Sequence, residues 1–131
     1  MWVVVDYIIV TRFLDKKQEK YPVEERFLLH EYYSVEQLNA KIEQTINAIN
    51  DEFEVPIYHN GIIAKKHCVG VRKIRSIYQD IHSDVNENHP PLDNSELIHS
   101  YMTVLTLEDA KKLAKGEMVK VHYIDNDPME E

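Results

Sequence analysis

The chain opens with a run of residues in which both alternating sets of positions are apolar. Trp2–Leu14 is rich in valine, isoleucine and aromatic residues, a composition typical of a β-strand. Successive side chains of a strand point to opposite faces of the sheet, so a strand that is apolar on both faces has to be covered on both. The pattern therefore predicts a long strand in the centre of its sheet.

Asp6 interrupts this apolar strand. We expect its carboxylate to form an ion pair with Arg12 of the same strand or Arg26 of the next. The alternative is a buried carboxyl group with a raised pKa.

The second predicted strand and a helix follow a polar turn at Asp15–Pro22. The strand covers Val23–Tyr33, and Ser34 with Gln37 has the spacing of a helix-capping box. Apolar residues then recur at steps of three or four: Val35, Leu38, Ile42, Ile46, Ile49 and Phe53. This period predicts an amphipathic helix.

The second half of the chain begins with a hairpin signal, Asn60-Gly61 between two short apolar runs. Residues 67–79 fit either a strand or a helix, and we favour a strand with a bulge at Gly70. His82–Asn94, with two prolines, indicates a surface loop. The remaining predicted elements are a strand at Glu96–Leu105, a helix from Thr106 through Lys115 that Gly116 ends, and a strand at Met118–Ile124.

These elements follow one another in the order β-β-α-β-β-β-α-β. The short connections and the hairpin predict an α+β fold, a mainly antiparallel sheet with two helices packed on one face. At 131 residues the chain is expected to form a single domain over residues 1–124, with an acidic, disordered tail at 125–131.

Composition narrows the class of protein. A hydrophobic content of 44% with 29% charged residues is typical of a globular domain. The net charge of −8 argues against general nucleic-acid binding, and no apolar run is long enough to span a membrane. A lone cysteine, Cys68, and no recognisable signal peptide predict a soluble protein of the reducing cytoplasm.

Charge is distributed unevenly along the chain. Residues 55–79 contain no acidic residue but five basic ones, whereas the other ten basic residues share the rest of the chain with all 23 acids. A cationic segment on an acidic body can attract an anionic ligand through its local field. The bases of this segment are Lys65, Lys66, Arg72, Lys73 and Arg75.

We predict a ligand site in this segment. Arginine recognises phosphate or carboxylate in a bidentate manner, while lysine and histidine add charge and donors. Tyrosines near its ends could stack on a ring. The predicted ligand-binding residues are Lys65, His67, Arg72, Lys73, Arg75, Tyr58 and Tyr78. The alternative is a solvated strand whose lysines discourage edge pairing.

The sequence nominates no catalytic residue, metal site or cofactor. The seven histidines show no zinc-site spacing. His67 and Cys68 are adjacent, so on a strand they point to opposite faces and cannot act as base and nucleophile. Glu24, Glu25 and Glu31 are expected to form a solvated strand face. A phosphoester hydrolase is therefore the least favoured class.

Several short motifs resemble an uncharacterised family of small bacterial and phage proteins, a domain of unknown function. They are Glu24-Glu25-Arg26, the helix at Ser34–Asp51, Tyr58 with Asn60-Gly61, Gly70-Val71, and Ser95-Glu96-Leu97 leading to Ser100-Tyr101. The resemblance covers most of residues 2–105. It implies an α+β fold and carries over no activity, ligand or catalytic residue.

Two functions of different classes follow. The first is a small non-enzymatic protein that sequesters an anionic, nucleotide-like small molecule, for example a signalling nucleotide in phage–bacterial conflict. The alternative is a protein-interaction module, such as an immunity or inhibitor protein, whose acidic surface masks a basic partner. A homodimer or higher homo-oligomer is possible through an edge strand.

Overall fold

The computed structural model describes residues 1–77 and 93–123, which form a curled antiparallel sheet and two helices. The elements are β1 (Trp2–Phe13), β2 (Tyr21–Glu31), α1 (Val35–Glu52), β3 (Ile57–His59), β4 (Ile62–Ile77), β5 (Ser95–Val104), α2 (Leu107–Ala114) and β6 (His122–Tyr123). The α+β class is confirmed. In space the six strands of this part of the chain lie in the order β3-β4-β1-β2-β5-β6.

β1 is buried on both faces and lies between β4 and β2, as its apolar pattern predicted. Its odd-numbered residues, such as Tyr7, pack in a core that includes Leu38 and Ile49 of α1. Its even-numbered residues Ile8 and Val10 pack in a second core with α2. The two helices therefore lie on opposite faces of the sheet, and the prediction that they share one face is wrong. The physical reason is that β1 has an apolar face on each side, and each needs its own cover.

β4 contains two bulges in its pairing with β1. Val69 is the extra residue between the pairs Ile9–Cys68 and Ile8–Gly70. Arg72 is the extra residue between the pairs Tyr7–Val71 and Asp6–Lys73. One bulge inverts the alternation of side chains, and a second restores it. As a result, four basic residues on either side of the bulges lie on the same face as α2: Lys65, His67, Lys73 and Arg75.

Turns and caps follow the local signals of the sequence. Asn60 and Gly61 both have positive φ, 52° and 79°, as a two-residue type I′ hairpin turn requires. The Ser34 hydroxyl accepts a hydrogen bond from the Gln37 N–H at the start of α1. Thr106 caps α2 in the same way.

Some predictions fall on residues that the structure does not describe. These are the proposed stacking residue Tyr78, most of the loop at His82–Asn94, and the acidic tail at 125–131. The last predicted strand, Met118–Ile124, is observed only at His122–Tyr123. Neither α1 nor α2 combines the length and the hydropathy that crossing a membrane requires.

Candidate functional site

The best candidate for a ligand site is a groove between the sheet and α2, which we call the β4–α2 groove. Its volume is about 380 Å³, within the range of small-ligand pockets. It is lined by Val10, Arg12, His67, Cys68, Val69, Leu107, Lys111, Ala114 and Lys115.

Both the sheet and the helix contribute basic side chains to the groove. Arg12 of β1 lies directly opposite Lys65 of β4, and His67 lies opposite Val10. Lys111 of α2 and Lys115, the C-cap residue of that helix, are four residues apart and so lie on one side of it. The charges of the groove thus come from three segments distant in sequence.

A shallower depression of about 410 Å³ continues from the groove along the strands. It is lined by Arg12, Phe13, Leu14, Lys65 and His67, and so shares two basic residues with the groove. Neither cavity has an acidic residue in its lining. Five basic side chains therefore line two adjoining cavities that share Arg12 and His67, and one of the five, Lys111, lies 4.0 Å from the exposed Glu108. The excess of positive charge attracts an anion even though the whole protein is acidic.

Gly70 allows α2 to approach β4 closely enough to form the groove. Its φ is +150°, a conformation that side chains disfavour. A Cβ atom at this position would lie 3.2 Å from the Cβ of Ala114. The bulge at Val69 and the glycine beside it thus set the distance between strand and helix.

The structure brings only part of the predicted ligand set together. Lys65 and His67 line the two joined cavities. Lys73 and Arg75 share that face but line neither of them, and Arg72 occupies the second bulge.

Neither predicted stacking tyrosine is found in the groove. Tyr58 is 77% exposed and lies in a separate depression with Asp15 and Lys16. Tyr78 is outside the described residues. The charge part of the predicted site is thus present at Lys65 and His67, while the ring-stacking part has no described counterpart.

Sequence reasoning missed three groove residues, Arg12, Lys111 and Lys115. The spacing of the two lysines on a short helix was a visible signal, since residues four apart share a helix face. Nothing local, however, indicated that this helix lies beside β4. Arg12 was assigned to Asp6 instead.

Asp6 forms a pair with another carboxyl group, that of Glu25. Both residues are buried, and the Ser100 hydroxyl donates to Glu25 at 2.8 Å. Burial, followed by the hydrogen bond and the charge of Glu25, raises the pKa of Asp6 to about 8, against the opposing effect of Arg72 and Lys73. With a pKa of about 8, Asp6 therefore retains its proton at neutral pH.

The predicted ion pair of Asp6 with Arg12 or Arg26 is therefore wrong, and the alternative of a buried carboxyl group with a raised pKa is supported. Arg26 lies on the opposite face of the sheet, opposite Tyr7 in the pairing of β1 and β2. Its Nε is 2.5 Å from Glu24, and its Nη1 is 3.5 Å from Glu52 of α1.

Glu24 and Glu25 are buried, contrary to the predicted solvated face. Glu24 accepts from Lys66 at 3.4 Å as well as from Arg26. Both cations lie over the Phe53 ring, 5.1 Å away for Arg26 and 5.3 Å for Lys66. This cluster joins the end of α1 to the sheet, so Lys66 has a structural role outside the groove.

A second buried polar chain links Tyr7, His30 and Asn94. Asn94 Oδ1, which can only accept, is 2.6 Å from His30 Nδ1. The Tyr7 hydroxyl is 2.6 Å from His30 Nε2 and donates to it, because burial lowers the pKa of His30 and keeps its ring neutral. Tyr7 and His30 are both fully buried, so they hold the core together and cannot reach a substrate.

Cys68 is not a reactive group of the groove. Its side chain packs in the core beneath α1, while His67 lies on the α2 face, which confirms that they point to opposite faces. Burial raises the pKa of the Cys68 thiol to about 11. No three histidine, cysteine or acidic side chains of the described ranges lie close enough together to hold a metal ion. His82 and His89 are outside those ranges.

Comparison with known proteins identified no relative of this chain. No protein-family model matches the chain, and no curated protein or solved structure is significantly similar to it. The resemblance to a family of small bacterial and phage proteins stays a prediction, and function has to be inferred from the groove itself.

Proposed function

We propose that this is a small non-enzymatic binding protein that sequesters an anionic small molecule in the β4–α2 groove. The observation that carries the proposal is the set of five basic side chains around one acid-free cavity surface: Arg12, Lys65, His67, Lys111 and Lys115. Hydrogen-bond donors and positive charge that converge from two strands and a helix suit a phosphate or carboxylate group.

The buried polar groups favour binding over catalysis. Asp6 is 3% exposed and Tyr7 is fully buried, so neither the carboxyl pair nor the tyrosine–histidine chain is open to a substrate. The groove itself contains cations and aliphatic side chains. Such a lining attracts and holds an anion without supplying a nucleophile.

Titration with a panel of anions tests the proposal. We would measure binding of pyrophosphate, AMP, ATP and decyl phosphate by isothermal titration calorimetry at low and physiological salt. The groove variant carries Lys111→Gln and Lys115→Gln. The matched control carries Lys73→Gln and Arg75→Gln, which removes the same charge from the same face outside the groove.

We expect at least one anion to bind, and the groove variant to bind it at least about tenfold more weakly, because two charge-assisted contacts are lost. The control should bind nearly as well as the parent protein. Equal losses in both variants would mean general electrostatic attraction, and no binding by any anion would refute the proposal. The sequestration of a signalling nucleotide in phage–bacterial conflict is supported only if AMP or ATP binds.

A second candidate function, a module that masks a basic protein partner, is favoured by the surface of α1. Glu36, Glu43, Asp51 and Glu52 are exposed on this helix. Its one lysine, Lys41, is half-buried and bonded to Asp93. Association with a basic partner would then slow strongly as salt is raised. Salt-independent association would count against this function.

A further inference from the structure

The floor of the β4–α2 groove is aliphatic. Val10 and Ala114 are buried there, and Val69 and Leu107 are partly buried against the same core. Val69 is one of the two bulged residues of β4. Val69 and Leu107 are the floor residues that leave aliphatic surface uncovered beside the cations, and this favours a ligand that has an apolar part as well as a charge.

The described lining of the groove is poor in groups that could read the edge of a nucleobase. It contains no asparagine, glutamine, serine or threonine, and the groups on which a ring could stack are Arg12 and His67, with Phe13 in the adjoining depression. Base recognition in proteins depends on stacking and on hydrogen bonds to the base edge. An alkyl chain needs neither, because its binding depends only on the apolar area that it buries.

The cations of the groove come from both of its walls, with Lys111 and Lys115 on the helix side. Arg12 and His67 line both the groove and the shallower depression, where Lys65 joins them. A ligand with a negative head group can contact these cations while its chain lies on the aliphatic floor between strand and helix. A cavity of about 380 Å³ has room for a chain of roughly eight to ten carbons with its head group at the opening.

We propose that the ligand of the β4–α2 groove is a free anionic amphiphile: a medium-length alkyl chain with a phosphate or carboxylate head. This rests on the proposed function and names the class of molecule that the groove takes. A free molecule is favoured over a lipid in a membrane, because the protein carries a net charge of −8 and an anionic bilayer surface would repel it.

A homologous series of probes tests this directly. We would measure the affinities of inorganic phosphate and of butyl, hexyl, octyl and decyl phosphate, each below its aggregation concentration. Burial of each methylene is expected to raise affinity by about three- to fourfold, until the floor is filled. Decyltrimethylammonium, with the same chain and the opposite charge, should bind at least about tenfold more weakly than decyl phosphate.

Variants of the floor separate the chain from the head group. Val69→Thr keeps the shape of the side chain and adds a hydroxyl, and Leu107→Gln places an amide beside the floor. Both should reduce the gain per methylene and leave the affinity for inorganic phosphate unchanged. Circular dichroism and urea unfolding would verify that each variant is folded, and Val69→Ile, which retains an apolar surface, should preserve the gain.

The outcomes distinguish the two proposals. If AMP or pyrophosphate binds through Lys111 and Lys115 but affinity does not rise with chain length, the amphiphile is wrong and the anion site stands. If no anion binds, both fail. Co-sedimentation with vesicles of phosphatidylglycerol, lost in the variant with Lys111→Gln and Lys115→Gln, would overturn the free ligand in favour of a membrane lipid.

Discussion

The Asp6–Glu25 carboxyl pair predicts an unusual dependence of stability on pH. The pKa of an unperturbed aspartate is 3.8. In the folded protein, burial and the neighbouring Glu25 raise the pKa of Asp6 to about 8. The folded state therefore holds the proton more tightly than the unfolded chain does. Its stabilising effect is fully present below pH about 4 and is lost as the pH rises towards about 8.

The magnitude follows from proton linkage. Within that window, each pH unit lowers the free energy of unfolding by about 1.4 kcal/mol through this one group. Between pH 5 and pH 7 the loss is therefore about 3 kcal/mol, a large part of the stability of a small domain. Arg72 and Lys73 act in the opposite direction and already limit the shift.

The substitution Asp6→Asn isolates this contribution. The amide resembles the protonated carboxyl group and can donate to Glu25, but it does not titrate. Urea unfolding of both proteins at pH 5, 6, 7 and 8 should show the variant gaining on the parent by about 1.4 kcal/mol per pH unit, with the difference levelling off above pH about 8. Contributions of all distant groups, including the buried His30, cancel in this difference.

Two further variants give the comparison its controls. Asp15→Asn, in the exposed turn after β1, is the matched control for the loss of an acidic side chain away from the pair. Glu25→Gln removes a negative charge beside Asp6, so the pH-dependent loss should become smaller. If the difference between Asp6→Asn and the parent is the same at pH 5 and pH 8, folded Asp6 does not retain its proton and the reasoning is wrong.

Three other substitutions, one of them with a matched control, test the packing and the caps of the fold. Gly70→Ala should lower the free energy of unfolding by about 1–3 kcal/mol and weaken anion binding, because the new Cβ strains the backbone and meets Ala114; unchanged urea unfolding would contradict this. Tyr7→Phe should lower the free energy of unfolding by about 1–3 kcal/mol, because it leaves the buried Nε2 of His30 without its donor. An unchanged free energy of unfolding would show that water or another group replaces the hydroxyl. Thr106→Ala removes the cap of α2, so it should lower the free energy of unfolding by about 1 kcal/mol and weaken anion binding. The matched variant Ser34→Ala removes the cap of α1. It should lower the free energy of unfolding to a similar extent and leave anion affinity unchanged.

Local signals predicted the elements well. The double apolar face of Trp2–Leu14, the cap at Ser34 and the turn at Asn60-Gly61 each depend on neighbours within a few residues. These interactions are nearly the same in any fold, so sequence pattern alone can identify them. For the same reason the bulge near Gly70 could be predicted, since glycine in a strand pattern commonly marks one.

The acid-free segment shows where such reasoning ends. Its sequence suggested a single site from Lys65 to Arg75, but α2 covers only one part of β4. His67 therefore lines the groove and Lys65 the adjoining depression, while Lys73 and Arg75 line neither. Arg12 and two α2 lysines complete the charge from other parts of the chain. Which cations share a cavity depends on long-range packing, which leaves no local pattern.

The sequence by itself thus determined the α+β class, the central position of β1 and the excess of positive charge on β4, because each follows from short-range periodicity or composition. The tertiary structure decided which face each helix covers, how two bulges place four basic residues on one side, and which of them meet α2. It also decided that Asp6 meets Glu25 instead of an arginine. These outcomes depend on strand register and on contacts between distant segments, and a change of one residue in register would move every side chain to the other face.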